Sequence, residues 1–310
     1  MKTLLITRPL PAAVVDAART AYDVTVREDT SNLTRDEMLA ALAGYDAILC
    51  TLGDRFDADV LATPPRVRML ANFGVGYNHI DATAAAAQGV VVTNTPGAVT
   101  DATADIAMTL ILMTARRAGE GERLLRAGKW QGWHPTQLLG THVSGKRLGI
   151  IGMGRIGRAI AHRCHHGFGM EVIFHNRSPK DHPFARQAEM DEVLQADFVV
   201  IAVPASPQTK HLIGARELAK MRGILVNIAR GDIVDEAALV QALKNGLPGA
   251  GLDVYEREPE VSSDLLAMEN VTLLPHLGTA ALDVRTDMGL MAVANLLAFA
   301  RGEEPPNRVV

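Results

Sequence analysis

The chain is poor in cysteine, with two among 310 residues, Cys50 and Cys164. Two thiols cannot build a disulfide framework, so a reducing compartment is expected. Cys50 ends the apolar run Ala47-Ile48-Leu49 and Cys164 falls in a helical pattern, so both read as buried structural thiols. There is no basic excess. Lys and Arg total 31 against 35 Asp and Glu, a net charge of −4, which argues against a protein that grips a nucleic-acid backbone. No apolar run is long enough for a membrane span. The longest helical one, Ile106 to Ala115, is bounded by Asp105 and by Arg116-Arg117. The N-terminal apolar stretch, Leu4-Leu5-Ile6, is too short for a secretory signal, so the cytoplasm is the expected location. A phosphate-binding Gly-Lys-Ser/Thr loop, a short fixed-period repeat and low-complexity tracts are also missing.

The hydrophobic share of 48% and charged share of 21% describe a folded chain, and the length suggests about two domains. Apolar runs of four to six residues recur, separated by segments of helical period. Strands are predicted at 3–7, 23–27, 47–51, 68–72 and 90–93, and again at 147–151, 171–174, 198–202, 224–228, 250–254 and 271–274. Helices are predicted at 12–20, 35–43, 82–88, 100–117, 155–166, 215–221, 236–245 and 283–300. The strands are apolar throughout rather than alternating, as in sheets covered on both faces. The fold class is therefore α/β, with two successive doubly wound parallel sheets and a hinge near Pro96-Gly97.

At the start of the second series, Gly152-Met153-Gly154-Arg155-Ile156-Gly157 follows an apolar strand and opens a helical run. Gly152 permits a tight turn, Gly154 lets the backbone approach a pyrophosphate, and Gly157 lets helix and strand pack closely. The unpaired N–H groups of the helix start would face that anion. About twenty residues on, a dinucleotide site usually carries an acid for the ribose 2′-hydroxyl. Here the run is Asn176-Arg177-Ser178, without one. An uncharged side chain, a guanidinium and a hydroxyl suit a 2′-phosphate, which favours NADP(H) while leaving NAD(H) possible.

Three ionisable residues fall at the carboxyl ends of later strands, where open parallel sheets bind ligands: Arg230, Glu258 and His276. Reduction of a ketone needs such a set. A His beside the carbonyl oxygen supplies a proton near neutral pH. A carboxylate beside it favours the protonated ring and holds it in place. An Arg binds a substrate carboxylate and the polarised carbonyl.

With these motifs on view, nearly the whole chain resembles the D-2-hydroxyacid dehydrogenases, and within them most the glyoxylate/hydroxypyruvate reductases. The resemblance is carried by Asn72-Phe73-Gly74-Val75-Gly76-Tyr77-Asn78-His79-Ile80-Asp81, the glycine turn, Asn227-Ile228-Ala229-Arg230-Gly231, the stretch Asp253 to Glu258, and Pro275-His276-Leu277-Gly278. It implies a Rossmann cofactor domain, 99–282, inserted into a flavodoxin-like substrate domain, 1–98 plus 283–310. It implies that Arg230, Glu258 and His276 are catalytic, with His276 the proton donor and a D-configured product. Val75 and Gly76 would hold the substrate carboxylate through backbone N–H groups. Asp253 would lie near the nicotinamide ribose, and Pro204, Thr209, Ile228, Ala229 and Gly278 would line the cofactor site with the glycine turn and Asn176-Arg177-Ser178. The family is typically dimeric, with the cofactor domains and the segment 128–145 at the interface. A chain of this length is expected to lack the regulatory domain of longer phosphoglycerate dehydrogenases, which disfavours a bulky phosphorylated substrate. An NAD-dependent D-lactate or other D-2-hydroxyacid dehydrogenase, and a dinucleotide-sensing corepressor, are the alternatives.

Other residues carry less. Leu52, in Leu52-Gly53-Asp54-Arg55, should face the cleft and could touch the substrate's tail. Trp130 and Trp133 could close a partner's pocket or simply pack at an interface. His162 and His166 share a helical face, as metal ligands do, but lack the carboxylate order of a metalloprotease, so no metal is expected.

Overall fold

The computed structural model describes residues 1–310, which divide by their internal contacts into two units, 1–99 with 280–310, and 100–279. The first unit holds β1 (Lys2–Ile6), β2 (Tyr22–Val26), β3 (Ala47–Thr51), β4 (Met69–Phe73) and β5 (Val91–Thr93). They form one parallel sheet in the order β2-β1-β3-β4-β5, the flavodoxin-like winding. The long C-terminal helix, Leu282–Ala300, lies against this sheet, and its Leu296 carbonyl accepts the buried Tyr22 hydroxyl at 2.9 Å. Burial pushes that phenol up to about 12. The chain end also pairs with β5, through Val309 N–H to the Val92 carbonyl at 2.7 Å.

The second unit holds β6 (Arg147–Ile151), β7 (Glu171–His175), β8 (Ala185–Gln187), β9 (Phe198–Ile201), β10 (Ile224–Asn227), β11 (Ala250–Leu252) and β12 (Val271–Leu273). Their order is β12-β11-β10-β9-β6-β7-β8, all parallel. This is the doubly wound dinucleotide-binding order with one strand added, and the winding reverses between β6 and β9. Every residue of β9 and β10 is buried, and all are apolar except Asn227 at the end of β10. Helix Thr100–Ala115 covers one face, and the two core clusters of the unit lie on opposite sides of the sheet. No helix is long and apolar enough to cross a membrane. Both cysteines are free and buried, and burial pushes the Cys164 thiol up to about 12.

Several elements depart from the predicted pattern, among them the short helices Met190–Val193 and Ser263–Ala267, which were not predicted. The helix expected to reach His166 is α-helical only over Arg155–His162 and widens to a π turn at Arg163–Gly167, keeping Cys164 inside against Met108. Helix Ala118–Arg126 buries no residue, so it carries no apolar period to read; a Glu122–Arg126 pair spans one of its turns. Strand β8 is three residues without an apolar run and is specified by its pairing with β7.

The loop after β3 is pinned by one buried carboxylate. Asp54 is fully buried and accepts from Thr7 Oγ1 at 2.6 Å, Arg8 Nη1 at 3.0 Å, the Thr51 N–H at 3.1 Å and the Leu33 N–H at 3.2 Å. It thus ties β1, β3 and the segment before helix Arg35–Gly44 to one group, and it sits two residues from Leu52. Asp54→Ala strands a guanidinium that is 14% exposed and should cost about 3–5 kcal/mol. A fall in the urea midpoint at unchanged m-value checks this, and an unaltered midpoint contradicts it.

Candidate active site

The glycine turn sits at the switch point, immediately after β6. Gly152 has φ +102, and a Cβ there would lie 2.7 Å from the Ala202 carbonyl oxygen at the end of β9. A Cβ on Gly157 would lie 2.2 Å from the Gly152 carbonyl oxygen, so helix and turn meet with no room for a side chain. At Gly154 the situation inverts: nothing lies within 4 Å of the Cβ position, and the residue is exposed as the N-cap of helix Arg155–His162. An open space faced by the unpaired N–H groups of a helix start fits the pyrophosphate of a dinucleotide. Arg155 is exposed and Ile156 half-buried beside it.

At the end of β7 the Asn176 side chain reaches back to this turn, its Oδ1 accepting the Met153 N–H at 3.2 Å. Arg177 and Ser178 are exposed beyond it, and the Arg177 guanidinium has no partner. Lys180, which the sequence pattern did not single out, donates from Nζ to the Met153 carbonyl at 3.1 Å. After β9, the Thr209 hydroxyl donates to the Pro204 carbonyl and accepts the Ser206 N–H at 2.8 Å, so Thr209 shapes this loop through its own bonds. The Ile228 side chain is buried in the core; only its backbone is placed to meet a ligand.

Beyond β10, β11 and β12 the expected cation, carboxylate and imidazole converge. His276 Nδ1 lies 2.9 Å from Glu258 Oε2, and both side chains are 32% exposed. The other Glu258 oxygen accepts the Tyr255 N–H at 3.0 Å. Burial works to raise the Glu258 carboxyl, but His276, the Tyr255 N–H and the Arg230 guanidinium outweigh it and hold it below its usual 4.5. Arg230 is itself deeply placed. Desolvation lowers its affinity for a proton, while the charges of Glu258 and Asp232 work the other way.

His276 stands at φ +55, a left-handed backbone uncommon for a residue with a Cβ. Asp253 imposes that turn. Its backbone carbonyl accepts the His276 N–H at 3.0 Å, and its buried carboxylate accepts the Leu277 and Gly278 N–H groups at 2.6 and 2.8 Å. Burial raises the Asp253 carboxyl, against the pull of those N–H groups and of His276. Asn227 does the same work under Arg230, donating from Nδ2 to the Arg230 carbonyl at 2.9 Å and accepting the Ala229 N–H at 3.1 Å. Its role was missed, although a buried amide ending an apolar strand was a legible signal.

In the first unit, the carbonyls of the glycine-containing loop after β4 are held by neighbouring side chains and backbone. The Asn72 amide donates to the Gly74 and Gly76 carbonyls at 2.9 and 3.0 Å, Asn94 donates to the Val75 carbonyl at 2.9 Å, and the Thr95 N–H reaches the Gly74 carbonyl. With the carbonyls tied back, the N–H groups of Val75 and Gly76 are left without an acceptor in the protein. Leu52 stands 36% exposed after β3. Trp130 and Trp133 are exposed, and His162, His165 and His166 gather around Phe184, with His165 stacked on it at 4.6 Å.

An open glycine turn at the switch point, with an acid–carboxylate pair and a desolvated guanidinium on the same sheet edge, defines an NAD(P)-dependent dehydrogenase. Residues 108–278 match the family described as D-isomer specific 2-hydroxyacid dehydrogenase, NAD binding domain. The chain belongs to the D-2-hydroxyacid dehydrogenase family. It is 43% identical to a glyoxylate reductase of Thermococcus gammatolerans, over 99% of this chain and 95% of that one. Among solved structures it is similar to a glyoxylate reductase from Paecilomyes thermophila, at 33% identity and a TM-score of 0.88 over 99% of this chain and 98% of that one. It is also similar to an NADPH-dependent glyoxylate/hydroxypyruvate reductase from Sinorhizobium meliloti in complex with NADP and malonate, at 34% identity and a TM-score of 0.86, covering 100% of this chain and 97% of that one.

A carboxyl held lower in the folded than in the unfolded chain adds stability above its unfolded value and loses it as pH falls through its native one. Glu258 therefore stabilises the protein fully above pH 4.5, and Glu258→Gln should be the less stable form there. The difference in urea midpoint between the two should shrink as pH drops below 4.5; a difference that widens on acidification contradicts the assignment.

Proposed function

We propose that the protein reduces small 2-oxo acids, glyoxylate and hydroxypyruvate, to D-2-hydroxy acids with NADPH. The observation that carries this reading is the His276–Glu258 pair at 2.9 Å, because it leaves His276 Nε2 without a protein partner and so available to a carbonyl oxygen. When bound, the reduced nicotinamide supplies a hydride to the carbonyl carbon. His276, as imidazolium, gives the proton to the oxygen that gains charge, and is left neutral. Glu258 holds the ring through Nδ1. Arg230 engages the substrate carboxylate and the polarised carbonyl, in a desolvated setting that strengthens both contacts. In the first unit, the N–H groups of Val75 and Gly76 are open to a carboxylate and Leu52 to a short apolar tail. The glycine turn, Pro204, Ala229, Asp253 and Gly278 hold the dinucleotide.

NADPH is favoured over NADH because no carboxylate stands after β7 to meet a ribose 2′-hydroxyl, while the Arg177 guanidinium is exposed and unpaired. The relatives named as glyoxylate reductases and the NADPH-dependent neighbour support the substrate and the cofactor. A homodimer is supported by the large apolar side chains that stay exposed between Leu125 and Leu139, including Trp133 at 79%. The free buried thiols accord with a cytoplasmic setting.

His276→Ala should lower kcat by about two to four orders of magnitude on glyoxylate, the usual worth of a placed acid. Turnover near wild type would remove His276 from this role. Arg177→Ala should raise KM for NADPH at least about tenfold more than KM for NADH, from loss of a charge-assisted bond. Equal effects on the two cofactors would remove the phosphate argument.

A further inference from the structure

The loop that carries Arg177 is closed by a side chain eleven residues away in sequence. Gln187 ends the edge strand β8, opposite Phe174 of β7. Its Oε1 accepts the Lys180 N–H at 2.7 Å, and its Nε2 donates to the Asn176 carbonyl at 3.0 Å and to the Ser178 carbonyl at 3.4 Å. One amide thus satisfies backbone groups at the start, middle and end of the segment 176–180. Two further bonds moor the closed loop to the glycine turn, Asn176 Oδ1 from the Met153 N–H and Lys180 Nζ to the Met153 carbonyl. Within the loop, Asn176 Nδ2 reaches the Ser178 carbonyl at 3.2 Å and its hydroxyl at 3.4 Å. The Arg177 guanidinium, by contrast, is exposed and unpaired.

We propose that Gln187 is the positioning residue for recognition of the cofactor's 2′-phosphate, presetting the Asn176–Lys180 loop so that Arg177 and Ser178 meet the phosphate already ordered. The proposal rests on the NADPH reading above and adds to it the source of the loop's shape. The physical case is one of preorganisation. An exposed five-residue loop with a free guanidinium otherwise loses backbone and side-chain entropy when it closes on the phosphate. Gln187 makes that loss part of folding. Its three hydrogen bonds all go to the backbone of the Asn176–Lys180 loop, so its effect should fall on the group that this loop meets. Lys180, drawn in by the same amide, adds a cation at the junction of loop and turn.

The test is Gln187→Met, which keeps length and volume and removes all three hydrogen bonds. Titration calorimetry on the full chain, without substrate, compares adenosine 2′,5′-bisphosphate with adenosine 5′-monophosphate. The expected result is about a tenfold loss of affinity for the bisphosphate, with the monophosphate within about twofold of wild type. Retained monophosphate binding also shows that the variant is folded. Faster amide exchange at Lys180, whose N–H loses its acceptor, provides a second readout independent of affinity. Equal losses for both ligands, or none for either, overturn the proposal. Arg177→Ala, run in parallel, separates the two levels. If Arg177→Ala discriminates and Gln187→Met does not, only the positioning role fails. If Arg177→Ala does not discriminate, the phosphate site itself is elsewhere and the proposal falls with it.

Discussion

The candidate active site depends on the way the Asp253 carboxylate is spent. Its two oxygens accept consecutive N–H groups just after His276, while its own carbonyl accepts the His276 N–H. Those bonds hold a β-carbon-bearing residue at φ +55 and aim its ring back toward Glu258. A left-handed backbone there costs of order 1–3 kcal/mol and persists only where its surroundings over-determine it. The cost is met by burying Asp253 at the end of β11, between β10 and β12, where the sheet itself cannot move. Without this capture the imidazole and the carboxylate would be two half-exposed side chains on separate loops, and their ion pair would be worth little.

The same device recurs at the other carboxyl-terminal strand ends. Asn227 shapes the turn under Arg230, Asp54 ties the loop after β3, and Asn72 with Asn94 holds the carbonyls after β4. In each case a buried or half-buried polar side chain at or near the end of an apolar strand is spent on the backbone of a neighbouring loop. Parallel sheets make this economical. Their interiors demand apolar residues, so a polar side chain at the strand's end meets no competing partner except the loop that leaves it.

This explains what could be read from the chain and what could not. Strands buried on both faces announce themselves as apolar runs, and the positions of β3 and β6 match their predicted bounds to the residue. The glycine turn was legible because each glycine answers a steric demand visible in the pattern itself. His276, Glu258 and Arg230 were legible as ionisable residues at strand ends. What escaped was whatever tertiary pairing alone creates. Strand β8 has no apolar signature, helix Ala118–Arg126 buries nothing, and the π turn at Arg163–Gly167 answers to the packing of Cys164. Gln187 and Lys180 escaped for the same reason, since the hydrogen bonds that give them meaning exist only once β8 has docked on β7.

These differences divide the second unit's site into two parts with different physics. The candidate catalytic part lies at the ends of β10, β11 and β12, partly desolvated and with a strained backbone; a substitution there disturbs burial and geometry together. The segment 176–180 lies beside the edge strand, half-buried to exposed, and is ordered largely by the neutral amide of Gln187. Chemistry and cofactor choice are therefore separable in this fold. The ketone-reducing set is fixed by constraints that reach through the whole sheet. The segment 176–180, whose shape answers to one edge-strand amide, can change while the strand ends that hold Arg230, Glu258 and His276 stay the same.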